Sequence, residues 1–259
     1  MSSPVHYESA DGIMQIRLER PDASNSVNPE VFFELGKAYY KAEHDKAIRA
    51  VVLNGAGDDF SIGIDPMSFL SILLERRFSF DGEGRINPFG TTTRLSKPLI
   101  AAVHGEVGAM ANELILAADI RIAADNTTFS QGEPSRGSTP AGGASIRLPL
   151  EVGWGNAMRW ILTGESWTAD EAHRMGLIQE VVPLGEQHAR ALELAQMIAQ
   201  HPPLGVKETL RIGRQAWEAA ALATYPTLLP ALNALIGSND FKERIMANRE
   251  GREPDYTGT

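Results

Sequence analysis

Two apolar runs, each closed by a glycine, constrain the fold of this chain more than any other feature. Ile48–Asn54 (IRAVVLN) stops at Gly55, and Pro98–His104 (PLIAAVH) stops at Gly105. Short runs of this kind, bounded by turn residues, read as buried strands. The segments around them alternate in type. Gly12–Arg20 (GIMQIRLER) reads as a strand halted by Pro21. Asn28 looks like an N-cap with Pro29 at the first helical position, followed by Phe32, Phe33, Leu35, Gly36, Tyr39 and Tyr40 at near-helical spacing. A helix over Met110–Ala118, a strand over Asp119–Ala123 and a short strand around Thr127–Ser130 complete the pattern. Strands alternating with helices predict an α/β core with crossover connections.

From about Gly142 helical stretches dominate: Trp154–Leu162, Thr168–Met175, Leu184–Gln200 and Leu204–Ala221, with Gln179–Val182 as a strand. The boundary is expected near Val182, with an α/β core over 1–182 and a helical region over 183–259 that packs on the core or on a neighbouring subunit. Phe78–Thr93 (FSFDGEGRINPFGTTT) is rich in Gly, Ser and Thr and is expected to be a mobile loop.

Composition removes several function classes. There is no cysteine, hence no disulfide framework, thiol nucleophile or Cys-ligated metal. A net charge of −9 argues against nucleic acid and anionic membranes, which need a basic footprint. The six histidines lack metal-ligand spacing, so no metal is expected. No apolar run reaches the roughly 18 residues of a membrane span. Met1–His6 shows no basic segment followed by an apolar one, so a cytoplasmic protein without a signal peptide is expected.

Two familiar motifs are incomplete or absent. Gly55-Ala56-Gly57-Asp58-Asp59-Phe60 follows a strand but lacks the third glycine and an ensuing helix, so it reads as a tight turn and not a dinucleotide fingerprint. No Gly-x-Ser-x-Gly elbow exists for a serine hydrolase. Two glutamates carry the chemical interest instead. Glu113 sits among Ala111, Leu114, Ile115, Leu116 and Ala117, where a carboxylate is costly unless it is used or paired, for example with Arg121. Glu133 lies in the loop Gln131-Gly132-Glu133-Pro134-Ser135-Arg136-Gly137, where an exposed loop acid is the plain reading. Brought together, two carboxylates can divide acid and base roles.

A set of short landmarks carries a family resemblance. In order they are Arg20-Pro21 before the Asn25 turn, Phe60-Ser61-Ile62-Gly63-Ile64-Asp65, Lys97-Pro98 leading to Ala101-Ala102-Val103-His104-Gly105, Ala118-Asp119-Ile120-Arg121-Ile122-Ala123, and Pro140-Ala141-Gly142-Gly143. Leu162-Thr163-Gly164, Ala169 to Gly176-Leu177 and Val181-Val182-Pro183 follow. With these the chain resembles the crotonase (enoyl-CoA hydratase/isomerase) superfamily from about Met14 to Tyr256.

The resemblance implies a crotonase-like (ClpP/crotonase) ββα spiral core with a helical C-terminal trimerisation region, assembled as a homotrimer or a hexamer of paired trimers. It implies an enzyme of fatty acid metabolism that adds water to a 2-enoyl-CoA, with coenzyme A arriving as part of the substrate and no other cofactor. The family's oxyanion-hole N–H groups fall on Ile64 and Met110, and its two hydratase acids on Glu113 and Glu133. Ala23, Ser24, Ser26, Ile62, Asp65 and Tyr256 fall where the family holds the coenzyme. The chain also departs from the pattern. Ala109-Met110-Ala111 replaces a glycine run, Pro134 follows Glu133, Asn248 stands for a common Phe, and Thr257 for a Lys that meets the coenzyme phosphates. These departures keep open enoyl-CoA isomerisation, or coenzyme-independent C–C hydrolysis of a β-diketone, on the same fold.

Overall fold

The computed structural model describes residues 3–74 and 78–259. Met1 and Ser2, the start of the segment read for a signal peptide, lie outside the described residues. The chain opens with β1 (Val5–Ala10), β2 (Ile13–Leu18), helix α1 (Pro29–His44), β3 (Ala50–Gly55) and α2 (Pro66–Leu74). It continues through β4 (Leu99–Val103), β5 (Glu106–Gly108), α3 (Met110–Ile115), β6 (Ile120–Ala124) and β7 (Thr128–Ser130). Then come α4 (Ala144–Val152), α5 (Trp154–Thr163), β8 (Ser166–Thr168), α6 (Ala169–Met175) and β9 (Glu180–Val182). Helices α7 (Gln187–Ala199), α8 (Pro203–Trp217), α9 (Ala219–Leu222), α10 (Leu228–Ile236) and α11 (Asn239–Glu250) end the chain.

A sheet of order β1-β2-β3-β4-β6-β9 forms the centre, parallel except for the β1–β2 hairpin, and β5-β7-β8 form a smaller second sheet. Successive residues of a strand face opposite sides, and both sides of this sheet are buried. Met14, Ile16, Val51, Leu53, Leu99, Ala101 and Val103 pack with Val31, Phe32, Leu35 and Tyr39 of α1 and with α3. Ile13, Ala50, Val52, Ile100, Ala102 and Ile122 face Ala191 and Ala195 of α7 on the other side. Asn28 accepts from Val31 N–H and caps α1, with Pro29 at its first position, as the sequence predicts. The Gly55 segment is a turn, with Gly57 at φ 81°.

The architecture is a mixed α/β core with a helical C-terminal region, as the resemblance implies. Three expectations need correction. The helix expected over Met110–Ala118 ends at Ile115, where the following backbone turns to deliver β6. The Phe78–Thr93 segment, expected as a mobile loop, is a loop without helix or strand, but it packs inward: Phe80, Ile86, Phe89 and Asn87 are buried, and Phe80 packs edge-on against Phe89 at 5.3 Å. Its phenylalanines outweigh its Gly/Ser/Thr content, because aromatic burial dominates packing energetics. Arg121, offered as a partner for Glu113, instead donates to the carbonyls of Leu177 and Ala118 and pairs with Glu151 at 3.0 Å.

Candidate active site

The site is assembled where the two sheets meet. Parallel bridges join Ser61 to Val107 and Val27 to Ile64, so the Ser61–Ile64 turn is clamped between β5 and the Asn25–Val27 segment. Asn25 organises that segment: its side chain accepts from Arg20 N–H and donates to the carbonyls of Ala56 and Asp59. In the Val27–Ile64 bridge Val27 donates to Gly63 O and Asp65 donates to Val27 O. The N–H of Ile64 therefore points away from that partner. Gly63, at φ 93°, has to be glycine, since a Cβ there would lie 2.3 Å from the Gly108 carbonyl oxygen.

Opposite this turn, α3 begins at Met110. The Met110 N–H is the first of the helix and so has no intrahelical acceptor. The substitution of Ala109 for a glycine has a visible consequence. Ala109 adopts φ 43°, ψ −112°, a conformation that costs a residue with a Cβ about 1–3 kcal/mol, whereas Met110 sits in ordinary helical backbone. Strain thus falls one residue before the expected donor.

Ile64, Met110, Glu113 and Glu133 line one cavity of about 160 Å³. Its walls are otherwise largely apolar, from Leu70, Phe89, Ala141 and, out of the C-terminal helices, Leu232, Ile236 and Phe241. Glu113 is 3 % exposed, on the buried face of α3. One of its oxygens accepts from Ala144 N–H at 3.1 Å at the start of α4, with Gly142 and Gly143 also donating. Burial pushes its carboxyl well above the usual range, and the nearby Glu133 carboxylate pushes it further, against the pull of those N–H groups. Gly142 leaves room for it, since a Cβ there would stand 2.8 Å from Oε2. Glu133 is raised by burial too, opposed by a hydrogen bond from Gln131 and by the Arg136 charge. Its Oε2 has no partner among the described residues.

The remaining predicted positions fall outside the cavity lining. Ala23, Ser24 and Ser26 run beside the Ile62–Ile64 turn, with Ile62 N–H donating to Ser24 O at 3.1 Å. Ile62 is exposed. Asp65 accepts from Ser68 Oγ at 2.6 Å and caps α2. That hydrogen bond lowers its carboxyl, so its side chain is engaged within the protein. Tyr256 is exposed at the C-terminus, away from the cavity lining. Three site residues were not singled out by the sequence: Arg136 at the cavity wall, and the Gln131–Asn112 amide pair behind Glu133. Among the described residues no cluster of side chains suits a metal ion, and no helix is long and apolar enough to cross a membrane.

Ile64 and Met110 thus share one largely apolar cavity with two carboxyl groups, Glu113 buried and Glu133 half-buried. The profile of the enoyl-CoA hydratase/isomerase family matches residues 8–259. The chain belongs to this family. Among curated relatives, an enoyl-CoA hydratase of Mycobacterium tuberculosis, EchA19, is 34% identical over 93% of this chain and 91% of its own length. A 2,3-dehydroadipyl-CoA hydratase of Escherichia coli K12 is 30% identical over 95% of each chain. Among solved structures, the carnitinyl-CoA hydratase of Mycobacterium avium superposes with a TM-score of 0.87 at 31% identity, covering 100% of both chains. As a family member the chain is a hydratase-like enzyme.

Proposed function

We propose that the protein is a hydro-lyase that adds water across the double bond of a 2-enoyl-CoA thioester. The observation that carries this reading is the pair of glutamates, Glu113 buried and Glu133 half-buried, that share one largely apolar cavity with Ile64 and Met110 and accept no hydrogen bond from a cation among the described residues. The thioester carbonyl is polarised between Ile64 N–H and Met110 N–H, where the enolate oxygen develops its charge at a helix start. Removing one such donor costs about 2.7–4 kcal/mol of barrier in comparable sites. Glu113 and Glu133 hold a water at Cβ. One takes its proton as the C–O bond forms, and the other delivers a proton to Cα as the enolate collapses. Each carboxyl is held above its ordinary value by burial, which suits a group that must both give and take a proton near neutral pH.

The coenzyme portion runs along Ala23, Ser24, Ser26, Ile62 and Asp65, with Tyr256 closing from the C-terminus. Coenzyme A is the substrate's handle, and no other cofactor takes part. The acyl substrate is thus the ligand partner. A trimeric or hexameric assembly is supported by α8, which leaves Leu204 and Ile212 exposed; light scattering gives the subunit count.

The test is incubation with a panel of 2-enoyl-CoA thioesters in ¹⁸O-labelled, deuterated water, read by mass spectrometry. Labelled oxygen in an intact hydrated thioester is the expected result. Deuterium uptake without added water means an isomerase. No reaction with any thioester, and no ligand-dependent rise in Tm with acyl-CoA, means the β-diketone reaction instead.

A further inference from the structure

Behind Glu133 lies a chain of amides that has no counterpart at Glu113. Asn112, the neighbour of Glu113 on α3, donates from Nδ2 to Gln131 Oε1 at 2.8 Å. Gln131 donates from Nε2 to Glu133 Oε1 at 2.7 Å. Asn112 and Gln131 are both 0% exposed, so both amides depend on protein partners for their hydrogen bonds. The backbone on both sides is fixed, since Ala109 N–H, just ahead of α3, donates to Ser130 O at the end of β7.

The donor sense of this chain is dictated by chemistry. An ionised carboxylate only accepts, so Gln131 must turn its NH2 toward Glu133 and its oxygen toward Asn112. Asn112 answers with its own NH2. The reverse orientation of Gln131 would set its oxygen against the carboxylate and its NH2 against the Asn112 NH2. With Oε1 of Glu133 already accepting from Gln131, a proton on this carboxyl resides on Oε2, the oxygen without a protein partner. We infer that Asn112 is a positioning residue which, through Gln131, fixes Oε2 of Glu133 as the oxygen that exchanges the proton with the substrate. This rests on the reading of Glu133 as an acid–base group.

The test uses Asn112→Leu, Gln131→Leu and the double variant, each in the full-length protein. The double variant replaces both partners by apolar groups of similar size, so it keeps the fold where a single variant that strands one buried amide fails to. Two readouts are taken: the pH profile of kcat for water addition, and a ¹³C-carboxyl NMR titration of Glu133, assigned with Glu133→Gln. Losing the hydrogen bond to the charged form raises the Glu133 titration midpoint. The expected shift is about half a pH unit or more, in the same direction in all three variants and no larger in the double. In kinetics kcat falls roughly tenfold with KM within about twofold, a part of what a general acid contributes. An unmoved Glu133 midpoint in the double variant overturns the relay. If the wild type hydrates no thioester but the midpoint still shifts, the relay stands and the hydratase reading fails.

Discussion

The molecule buries carboxylates in two places, and treats them in opposite ways. Under the C-terminal helices, Glu218 accepts from Arg94 at 2.8 Å, from Arg147 at 3.0 Å and from Tyr225 at 3.2 Å. Arg147 is 0% exposed and also donates to the carbonyls of Phe89 and Gly90. Nearby, Arg214 grips Asp119, with Nη2 donating to both carboxylate oxygens at 2.6 and 2.7 Å and Nε donating at 3.0 Å. In the cavity, Glu113 and Glu133 have no arginine or lysine hydrogen-bonded to them among the described residues. Each acid there raises the cost of ionising the other. The paired set secures α8, α9 and the Phe89–Gly90 segment to the core, and its charges are neutralised locally. The cavity pair keeps a cost that packing does not relieve, as expected of groups retained for chemistry.

Substitutions should separate the two sets. The largest effect is on rate. Glu113→Gln and Glu133→Gln are each expected to lower kcat for water addition by about 10²–10⁴-fold, measured by loss of enoyl absorbance, with unchanged circular dichroism. Survival of normal activity in either variant would remove that acid from the mechanism. Next is Glu218→Gln, which leaves the buried Arg147 without its counter-charge and Arg94 with only Asp119 at 3.9 Å. Urea unfolding should show a loss of about 3–5 kcal/mol, large enough to read as a lower midpoint at unchanged slope.

The pH dependence of stability sharpens the contrast. Glu113 and Glu133 hold protons more tightly when folded than when unfolded. As pH rises from the ordinary carboxylate value near 4.5 through the raised folded values, the unfolded chain releases protons that the folded one keeps, so stability falls. The Glu113→Gln/Glu133→Gln double variant lacks this slope. Its Tm should exceed that of the wild type at pH 8 and approach it at pH 5. The smallest effect is at the strained turn. Ala109→Gly relieves the positive φ but frees the unfolded chain, for a net gain of about 1 kcal/mol in urea unfolding.

Much of this was legible in residues whose neighbours in sequence are also their neighbours in space. The β3 and β4 runs, the Asn28-Pro29 cap and the Glu113 anomaly all announce themselves within a few positions. Strand β1 (VHYESA) does not, because five of its six residues are exposed and it forms the edge of the sheet. Strand β5 spans only Glu106–Gly108, too short to show a period. The cavity wall from α10 and α11, and the pairing of Arg147 with Glu218 across 71 residues, depend on tertiary contacts that no local pattern encodes. Asn112 adjoins Glu113 and Gln131 lies two residues before Glu133. Their pairing becomes visible only once β7 and the start of α3 are brought together.

The most direct test of the account is to measure kcat and unfolding free energy on the same preparation of Glu113→Gln at pH 8. The expected result is an enzyme that has lost its water-addition rate and gained stability over the wild type. A variant that keeps its rate, or that loses stability as Glu218→Gln is expected to, would show Glu113 to be part of the scaffold and contradict the account.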